Sequence, residues 1–403
     1  MGRNHPRGKR CIQSISSQPP GSAIYEMKGV FRLFVLFLFS SSVAAQQTDQ
    51  PFVEYDERVG NYLKRIQHGD QTHSFDPSRD FTTWQEEARV ALVQLIGLKR
   101  MEDSLSSFEP RTRLGKAEEI DGQFTRTLGS IETEPGIVVP FYLLIPIPSK
   151  PGQRFPLMLC PHGHDPQGLH SYAGAFKNKD HRRKILSRNG NIAEQAARRG
   201  LAAIAPATRG LAAELMVPDP RGRHGRQSCR AQLMHGLLTG RTPIAERVWD
   251  MLRLLDWAEQ HPEIDPKRLG MTGNSGGGVV TAYTAAIDPR IKVAIPSCSF
   301  TSVISSTGFI FHCDCCLVPG FRNWGGWGEL GGLVAPRHLL IVHGKKDGLH
   351  HQPDVEEAVN SVAEIFKAAH VPERVKLKWG PGGHRFYPQI IWPFVEAAFG
   401  QAD

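Results

Sequence analysis

The chain has 403 residues, of which 40% are hydrophobic and 22% charged. This composition is that of an ordinary globular protein, and it excludes a disordered or collagen-like chain. The formal net charge is +8, but the first 45 residues hold six basic residues against one acidic residue and so carry most of that excess. The remaining charge is too small to support nucleic-acid binding, and no nucleic-acid partner is expected.

The first 45 residues predict an export signal. Lys28 and Arg32 precede an apolar run over residues 33–39, and small residues follow up to Ala45. A positive segment, an apolar run and a small-residue cleavage site together are typical of a secretory signal peptide. The run is shorter than the roughly 20 residues that span a bilayer. We expect translation to start at Met27, cleavage after Ala45, a secreted or periplasmic protein, and no stable membrane span after cleavage.

Residues 46–116 predict a short helical N-terminal extension. Apolar residues recur at helical spacing over residues 81–98. Thr83 and Glu86 match the capping box that opens many helices. The extension is too short to form a second large domain or a propeller.

Residues 117–403 predict a single α/β domain, because short apolar runs alternate with amphipathic segments. The expected strands cover residues 123–133, 137–145, 155–160, 201–207, 268–272, 293–296, 338–343 and 374–379, and the expected helices cover residues 192–199, 244–259, 278–286 and 353–369. Such alternation implies βαβ units. We therefore predict a mostly parallel central sheet with helices on both faces. In such sheets the active site lies at the carboxyl ends of the strands, so the residues that directly follow the strands are the candidate catalytic residues.

The segment Gly273-Asn-Ser275-Gly-Gly277 matches the G-x-S-x-G pattern of a nucleophile elbow. It follows an expected strand and opens an expected helix, which is the context that this motif requires. Glycine is needed two residues before and two after the serine because the sharp turn crowds both positions. No Lys-Ser or Lys-Thr pair follows the glycines, so a P-loop is excluded. Ser275 is the predicted nucleophile.

A serine nucleophile needs a base and an orienting carboxylate, and in this fold they follow it in the order acid, then histidine. Asp347 lies just after the apolar run 338–343, and His384 follows the last expected strand within a Gly-rich loop. We predict Asp347 as the acid and His384 as the base. Asp354 is the alternative acid, although its position favours a role in capping a helix.

The oxyanion of such a reaction needs backbone N–H donors. Gly276 directly follows the nucleophile, and His164 lies in the loop after the expected strand 155–160. These two residues are the predicted donors. A metal site at His162-Gly-His164 lacks a matching third ligand in the sequence, so no metal and no cofactor are expected.

Six cysteines follow the leader, at positions 160, 229, 298, 313, 315 and 316. Cys160 and Cys298 lie in apolar runs and are expected to be buried thiols. The cluster Cys313-Asp-Cys-Cys316 has no second Cys pair or His pair at zinc spacing, so a disulfide from Cys313 or Cys315 is the favoured interpretation.

These motifs together resemble the α/β-hydrolase superfamily, and within it the bacterial esterases that are like acetylxylan esterases and dienelactone hydrolases. The resemblance rests on four segments, residues 268–277, 288–292, 335–337 and 380–387. It implies a serine hydrolase that works through Ser275, Asp347 and His384 without a metal or a cofactor. A small ester or acylated carbohydrate is the substrate that the resemblance implies.

The substrate pocket is less well marked in the sequence. Trp324 and Trp327 lie in a long aromatic segment, residues 298–330, that suits either a pocket wall or simple packing under a loop. Arg209 belongs to an Arg-rich segment that suits either a solvated face or an anion site. All three are candidate pocket residues.

The predicted function is that of an exported serine esterase that hydrolyses carboxylic esters through an acyl-enzyme, with acetyl esters of carbohydrates favoured. Two alternatives remain. One is a serine peptidase of the prolyl-oligopeptidase kind, although the extension leaves no room for its usual propeller. The other is a binding protein on a hydrolase fold that has lost its activity.

Overall fold

The computed structural model describes residues 61, 62, 65, 69–223, 228–304 and 310–400. They lie in one compact unit, Asp49–Asp403. The expected signal peptide falls outside the described residues, so export stays a prediction. In the described ranges no helix combines the length and the apolar character needed to cross a bilayer.

A nine-stranded sheet forms the centre of this unit. Its strands are β1 Arg111–Ile120, β2 Phe124–Glu134, β3 Ile137–Pro146, β4 Phe155–Leu159, β5 Ala202–Pro206, β6 Ile264–Asn274, β7 Ile291–Ser297, β8 His338–Gly344 and β9 Val375–Gly380. Their order is β1-β2-β3-β5-β4-β6-β7-β8-β9. The first three pair antiparallel, as do β3 and β5, whereas all pairs from β5 to β9 are parallel.

Helices cover both faces of the sheet. The helices among the described residues are α1 Phe81–Leu95, α2 Leu98–Ser104, α3 Gly168–Tyr172, α4 Lys179–Leu186, α5 Ile192–Ala197, α6 Ser228–Thr239, α7 Pro243–Glu259, α8 Gly276–Ile287, α9 Phe321–Trp324, α10 Trp327–Gly332, α11 Gln352–Ala368 and α12 Pro388–Gly400. Successive side chains of a strand point to opposite faces. Accordingly, Leu157 of β4 packs in a core cluster with α1, α7, α8 and α11, and Met158 packs in a second cluster with α5 and α12. The predicted α/β fold class is confirmed.

The predicted elements in residues 117–403 are observed within a few residues of their expected bounds, although β6 begins four residues earlier than expected. β1 and the helices α3, α4, α6, α9, α10 and α12 were not predicted. β1 is exposed along most of its length, so it carries no apolar alternation to reveal it. α12 contains an internal proline, Pro393, which argues against a helix at the level of sequence.

The start of the first helix differs from its prediction. The cap of α1 is Asp80, whose side chain accepts the N–H of Thr83, so the predicted capping box of Thr83 and Glu86 is wrong. The helix also ends at Leu95 rather than residue 98, because Gly97 adopts a left-handed φ of 86° before α2 begins. Buried side chains of α1 join the same core cluster as the sheet. β1 lies on both sides of residue 116, and the expected division of the chain into leader, extension and catalytic domain stays a prediction.

Candidate active site

Ser275 occupies a sharp turn between β6 and α8. Its backbone has φ 59° and ψ −126°, a left-handed conformation that non-glycine residues rarely adopt. Its N–H donates to Ser297 O of β7 at 2.8 Å, which fixes the turn to the neighbouring strand. Strain of this kind persists only where the surrounding structure holds it, and it is common at functional sites. The turn has the geometry expected of a nucleophile elbow.

The glycines on either side of Ser275 are there for steric reasons. A Cβ atom on Gly273 would lie 2.4 Å from Pro161 O, and one on Gly277 would lie 2.0 Å from the same atom. Both distances are far below van der Waals contact, and the obstructing atom belongs to the backbone. The spacing of the G-x-S-x-G pattern is therefore set by the close approach of the loop after β4.

We expect Gly277→Ala to reduce the free energy of unfolding by about 3 kcal/mol or more, because neither Pro161 O nor α8 can move without disturbing the sheet. Urea denaturation followed by circular dichroism measures the loss. Gly400→Ala is the matched control, since a Cβ at that position meets nothing within 4 Å. Equal stability of the two variants would contradict the steric account.

Asp347 and His384 meet beyond the carboxyl ends of β8 and β9. His384 Nδ1 donates to Asp347 Oδ2 at 2.8 Å, and the N–H of Leu349 donates to Asp347 Oδ1 at 3.0 Å. Burial alone would raise the pKa of Asp347, but the rings of His350 and His384 beside it hold that pKa well below its usual range. Asp347 is therefore a carboxylate that orients the ring of His384 and leaves its Nε2 free for chemistry.

Ser275 and His384 line the same cavity, which has a volume of about 440 Å³. Within the described part of the chain no hydrogen bond joins the Ser275 hydroxyl to the His384 ring. Catalytic hydrogen bonds are often long in structures without substrate and shorten when it binds, so this geometry suits the roles predicted for both residues. Their assignment as nucleophile and base stays a prediction.

The two residues predicted to supply oxyanion donors lie close to each other. A Cβ on Gly163 would come within 3.0 Å of Gly276 N, so the loop after β4 passes directly over the start of α8. The ring of His164 lies against the same turn, with Nδ1 3.5 Å from the position that a Cβ on Gly276 would take. As the first residue of α8, Gly276 has an N–H without an intrahelical partner. The arrangement suits a pair of donors to a developing oxyanion.

His162 has a structural role in this loop. It is fully buried, its Nε2 accepts the N–H of Thr208 at 3.0 Å, and its Nδ1 donates to Gly163 O at 2.8 Å. Burial lowers the pKa of His162 to about 4, so the ring is neutral near pH 7. These bonds anchor the loop to the end of β5 and hold Gly163 over the elbow.

The structure does not bring the three candidate pocket residues to the cavity. Trp324 and Trp327 are buried, the first donating to Ala88 O and the second stacking on His312. Arg209 is buried in ion pairs with Glu134 and Asp250. All three therefore contribute to packing or to a buried charge network rather than to the cavity wall.

The cavity wall instead includes two arginines that the sequence analysis did not single out, Arg188 and Arg385. Neither guanidinium forms an ion pair within the described ranges. They are 197 positions apart, and only the fold shows that they share a cavity. Tyr172 and Phe386 add an apolar part to the same wall.

No disulfide joins any of the six cysteines of the described residues, so the predicted disulfide is wrong. Cys160 and Cys298 are buried thiols, as expected. Cys229, Cys313 and Cys315 instead lie around the ring of His164. Hydrogen bonds from the neighbouring thiols hold the pKa of Cys315 far below its usual range, and bonds with Cys313 and Cys315 raise the pKa of His164 to about 9.

In the described part of the chain, three groups of side chains have the composition and proximity of metal ligands. Two of them share Asp347: one adds Cys298 and His343, the other His350 and His384. His343 Nε2 is already bonded to Phe300 O at 2.8 Å, and His384 is bonded to Asp347. Hydrogen bonds within the protein therefore explain why the side chains of both groups lie close together. The third is the set around His164.

Comparison with known proteins supports the expected resemblance. The family model of acetyl xylan esterase (AXE1) matches residues 191–305, which include the elbow. YtaP of Bacillus subtilis, assigned provisionally as a hydrolase, is 27% identical over 156 residues, or 37% of this chain and 50% of that protein. The chain thus matches about half the length of this relative.

Solved structures agree with this fold. A protein from Bacteroides fragilis, assigned provisionally as an acetyl xylan esterase, has a TM-score of 0.64 at 15% identity, over 85% of this chain and 95% of that one. A glucuronoyl esterase from Teredinibacter turnerae has a TM-score of 0.59 at 15% identity, over 88% and 94%. The chain has the α/β-hydrolase fold, and the family match supports a carboxylic ester hydrolase.

Proposed function

We propose that this α/β-hydrolase-fold chain is a serine esterase that hydrolyses esters of carbohydrates, with Ser275 as nucleophile, His384 as base and Asp347 as orienting acid. The observation that carries the proposal is the strained turn at Ser275 facing the same cavity as an Asp347–His384 hydrogen bond of 2.8 Å. Neither a binding protein nor a structural protein requires this combination. The acetyl xylan esterase model and the esterase folds of the structural relatives support the substrate class.

The proposed reaction proceeds in two halves. The Ser275 hydroxyl attacks the ester carbonyl as His384 takes its proton, and the N–H groups of Gly276 and His164 stabilise the oxyanion. His384 then gives the proton to the leaving alcohol, which leaves an acyl group on Ser275. Water attacks this acyl group as His384 takes its proton. The tetrahedral intermediate collapses as His384 returns the proton to Ser275 Oγ, which releases the carboxylic acid and restores the serine hydroxyl.

The proposal is tested by a substrate panel that separates esters from amides. We expect the purified chain to release acetate from acetylated xylo-oligosaccharides and p-nitrophenol from its acetate, and not to cleave peptide p-nitroanilides. Cleavage of the anilides without hydrolysis of the acetates would favour the peptidase alternative. Failure to turn over any substrate, with tight binding of the oligosaccharide, would favour the binding-protein alternative.

The two arginines of the cavity favour substrates that carry a carboxylate. A guanidinium facing a partly solvated cavity attracts an anion by up to about 1 kcal/mol. The proposed preference is therefore for acetylated oligosaccharides with uronate branches over neutral ones of the same length.

We expect Arg188→Gln to raise KM by about fivefold for the uronate-bearing oligosaccharide, the equivalent of about 1 kcal/mol, and to leave KM for the neutral one unchanged. Arg182→Gln is the matched control, since Arg182 is an exposed arginine of α4 outside this cavity. Steady-state kinetics on both oligosaccharides provides the comparison. The same KM change on both substrates would argue against recognition of charge.

A further inference from the structure

Beside the cavity lies a second cluster of reactive side chains, which the proposed reaction does not use. His164 Nε2 and the Sγ atoms of Cys229, Cys313 and Cys315 all lie within 4.8 Å of one another. The four residues come from three separate segments: the loop after β4, helix α6, and the short helical turn Asp314–Cys316 with the residue before it. These three segments are far apart in the sequence, and only the fold brings their side chains together.

The distances within this cluster are those of ligands around a common ion. Cys229 Sγ and Cys315 Sγ each lie 3.6 Å from His164 Nε2, and Cys229 Sγ lies 3.9 Å from Cys313 Sγ. Tetrahedral zinc has Zn–S bonds of about 2.3 Å and Zn–N bonds of about 2.0 Å, which separate two sulfurs by about 3.8 Å and sulfur from nitrogen by about 3.5 Å. The three measured distances match these separations, and the remaining pairs of ligand atoms lie within 4.8 Å.

We propose that His164, Cys229, Cys313 and Cys315 form a structural zinc site. Three thiolates and one imidazole make a complete tetrahedral set, and a site with four protein ligands leaves no open position for a catalytic water. Soft thiolate ligands favour zinc over magnesium, calcium and manganese. Cys316 lies 3.9 Å from Cys315 Sγ but outside the group of four, so it is not a ligand in this proposal.

The environment of Arg247 supports the site independently. Arg247 is fully buried, and its guanidinium donates to Cys315 Sγ at 3.4 Å, as well as to Arg209 O and Cys315 O. Its other described partner is the neutral side chain of Gln232, so no carboxylate of the described residues balances this buried cation. Zinc with three thiolates and a neutral imidazole carries one negative charge, which would balance Arg247. A disulfide would be neutral and would leave the cation unpaired.

The proposed ion would fix the loop that carries an expected oxyanion donor. His164 would be tied through its side chain to α6 and to the turn at Cys313, while the preceding residue, Gly163, lies over Gly276. Both His164 and Cys313 line the cavity that contains Ser275. The metal site itself does not depend on the proposed esterase activity, so its test uses metal content rather than turnover.

The experiment measures zinc in the full chain, purified without chelators or metal-affinity resin, by plasma mass spectrometry. We expect about one zinc per chain, and less than about a fifth of that in Cys229→Ser and in Cys315→Ser. Cys316→Ala is the matched control, because Cys316 is a buried neighbour outside the ligand set, and it should keep its zinc. Circular dichroism shows whether each variant has folded.

A second measurement covers the case in which the ligand variants do not fold. Replacement of zinc by cobalt in the wild-type chain should give the visible absorption of tetrahedral cobalt and a near-ultraviolet thiolate-to-cobalt band. Titration of free thiols in denaturant without reductant should find all of the cysteines reduced once zinc is chelated. A wild-type chain that binds neither metal, a disulfide among the three cysteines, or a folded Cys229→Ser variant with full zinc would each overturn the proposal.

Discussion

Replacing Ser275 with alanine should reduce kcat/KM for p-nitrophenyl acetate by at least about 10³-fold, because the proposed reaction forms the acyl-enzyme on this hydroxyl. The backbone turn exists to present this hydroxyl, with φ 59° at a residue other than glycine. A small residual rate over water would remain, since the oxyanion donors and the binding cavity are intact in the variant. Initial rates at saturating and at low substrate separate kcat from KM.

The control for this experiment is Ser171→Ala. Ser171 lines the same cavity, but its hydroxyl donates to Asp165 Oδ2 at 2.8 Å and it is not at a strained turn. The same hydroxyl lies 3.0 Å from His181 Nε2. Loss of both hydrogen bonds should change the rate by less than about tenfold. If Ser275→Ala and Ser171→Ala hydrolysed the ester equally well, the proposed nucleophile would be wrong. A burst of p-nitrophenol in the wild type, absent in Ser275→Ala, would identify the acyl-enzyme directly.

The elbow was predictable because its cause is local. Strand, turn and helix follow one another within about twenty residues, and the crowding by Pro161 O leaves a readable mark as two glycines at fixed spacing. The contact between Asp347 and His384 was predictable for a different reason. The order of a parallel sheet places the ends of β8 and β9 at the same edge, so residues 37 positions apart meet there.

The cavity wall was not predictable in the same way. Arg188 and Arg385 lie on loops far apart in the chain, and an exposed arginine at either position looks like any solvated surface charge in the sequence. Arg209 shows the converse. It was chosen for its Arg-rich surroundings, but Glu134 and Asp250 from two other elements enclose it. Long-range charge pairing leaves no pattern in one sequence.

The cysteine cluster exposes the limit of reading metal sites from spacing. The four proposed ligands include His164 and Cys229, which are 65 positions apart, and neither lies in a motif with the full ligand spacing of a zinc site. The sequence therefore favoured a disulfide and no metal. The structure shows that the four ligand atoms lie close together, with separations of 3.6 Å and 3.9 Å among them. It also shows that the buried cation Arg247 donates to one of the sulfurs.

The loop after β4 connects these observations. His162 anchors it to Thr208 of the loop after β5, Gly163 passes over the elbow, and the ring of His164 faces the cysteines. A donor held from both sides needs little reorganisation when charge develops in the transition state, which is the main source of electrostatic stabilisation in enzymes. If the proposed function holds, His162 anchors the loop on one side and the ring of His164 holds it on the other.

Asp347→Asn should reduce kcat by about 10³- to 10⁴-fold with little change in KM. The carboxylate of Asp347 accepts from His384 Nδ1 at 2.8 Å and so fixes the tautomer in which Nε2 can take a proton from Ser275. An asparagine amide can rotate to donate to Nδ1, which would place the ring proton on Nε2 and block its action as a base. Rapid-quench and steady-state kinetics on p-nitrophenyl acetate measure the loss.

Asp354→Asn is the matched control, because Asp354 is the alternative acid and is equally buried. Its Oδ2 is bonded to His351 Nδ1 at 2.8 Å, so the two variants remove similar Asp–His contacts from neighbouring positions. Only Asp347→Asn should reduce kcat, since His351, the partner of Asp354, does not line the cavity. A larger loss in Asp354→Asn would transfer the role of the acid to that residue.

The carboxylate of Asp347 should also affect the free energy of unfolding in acid. The pKa of Asp347 is lower in the folded chain than its unfolded value of about 4. Its ionised form therefore stabilises the fold above that pH, and this stabilisation is lost as the pH falls towards the folded pKa. Urea unfolding between about pH 6 and pH 3 should show a shallower decline for Asp347→Asn than for the wild type. Parallel declines would mean that the carboxylate gains nothing from His350 and His384 in the folded state.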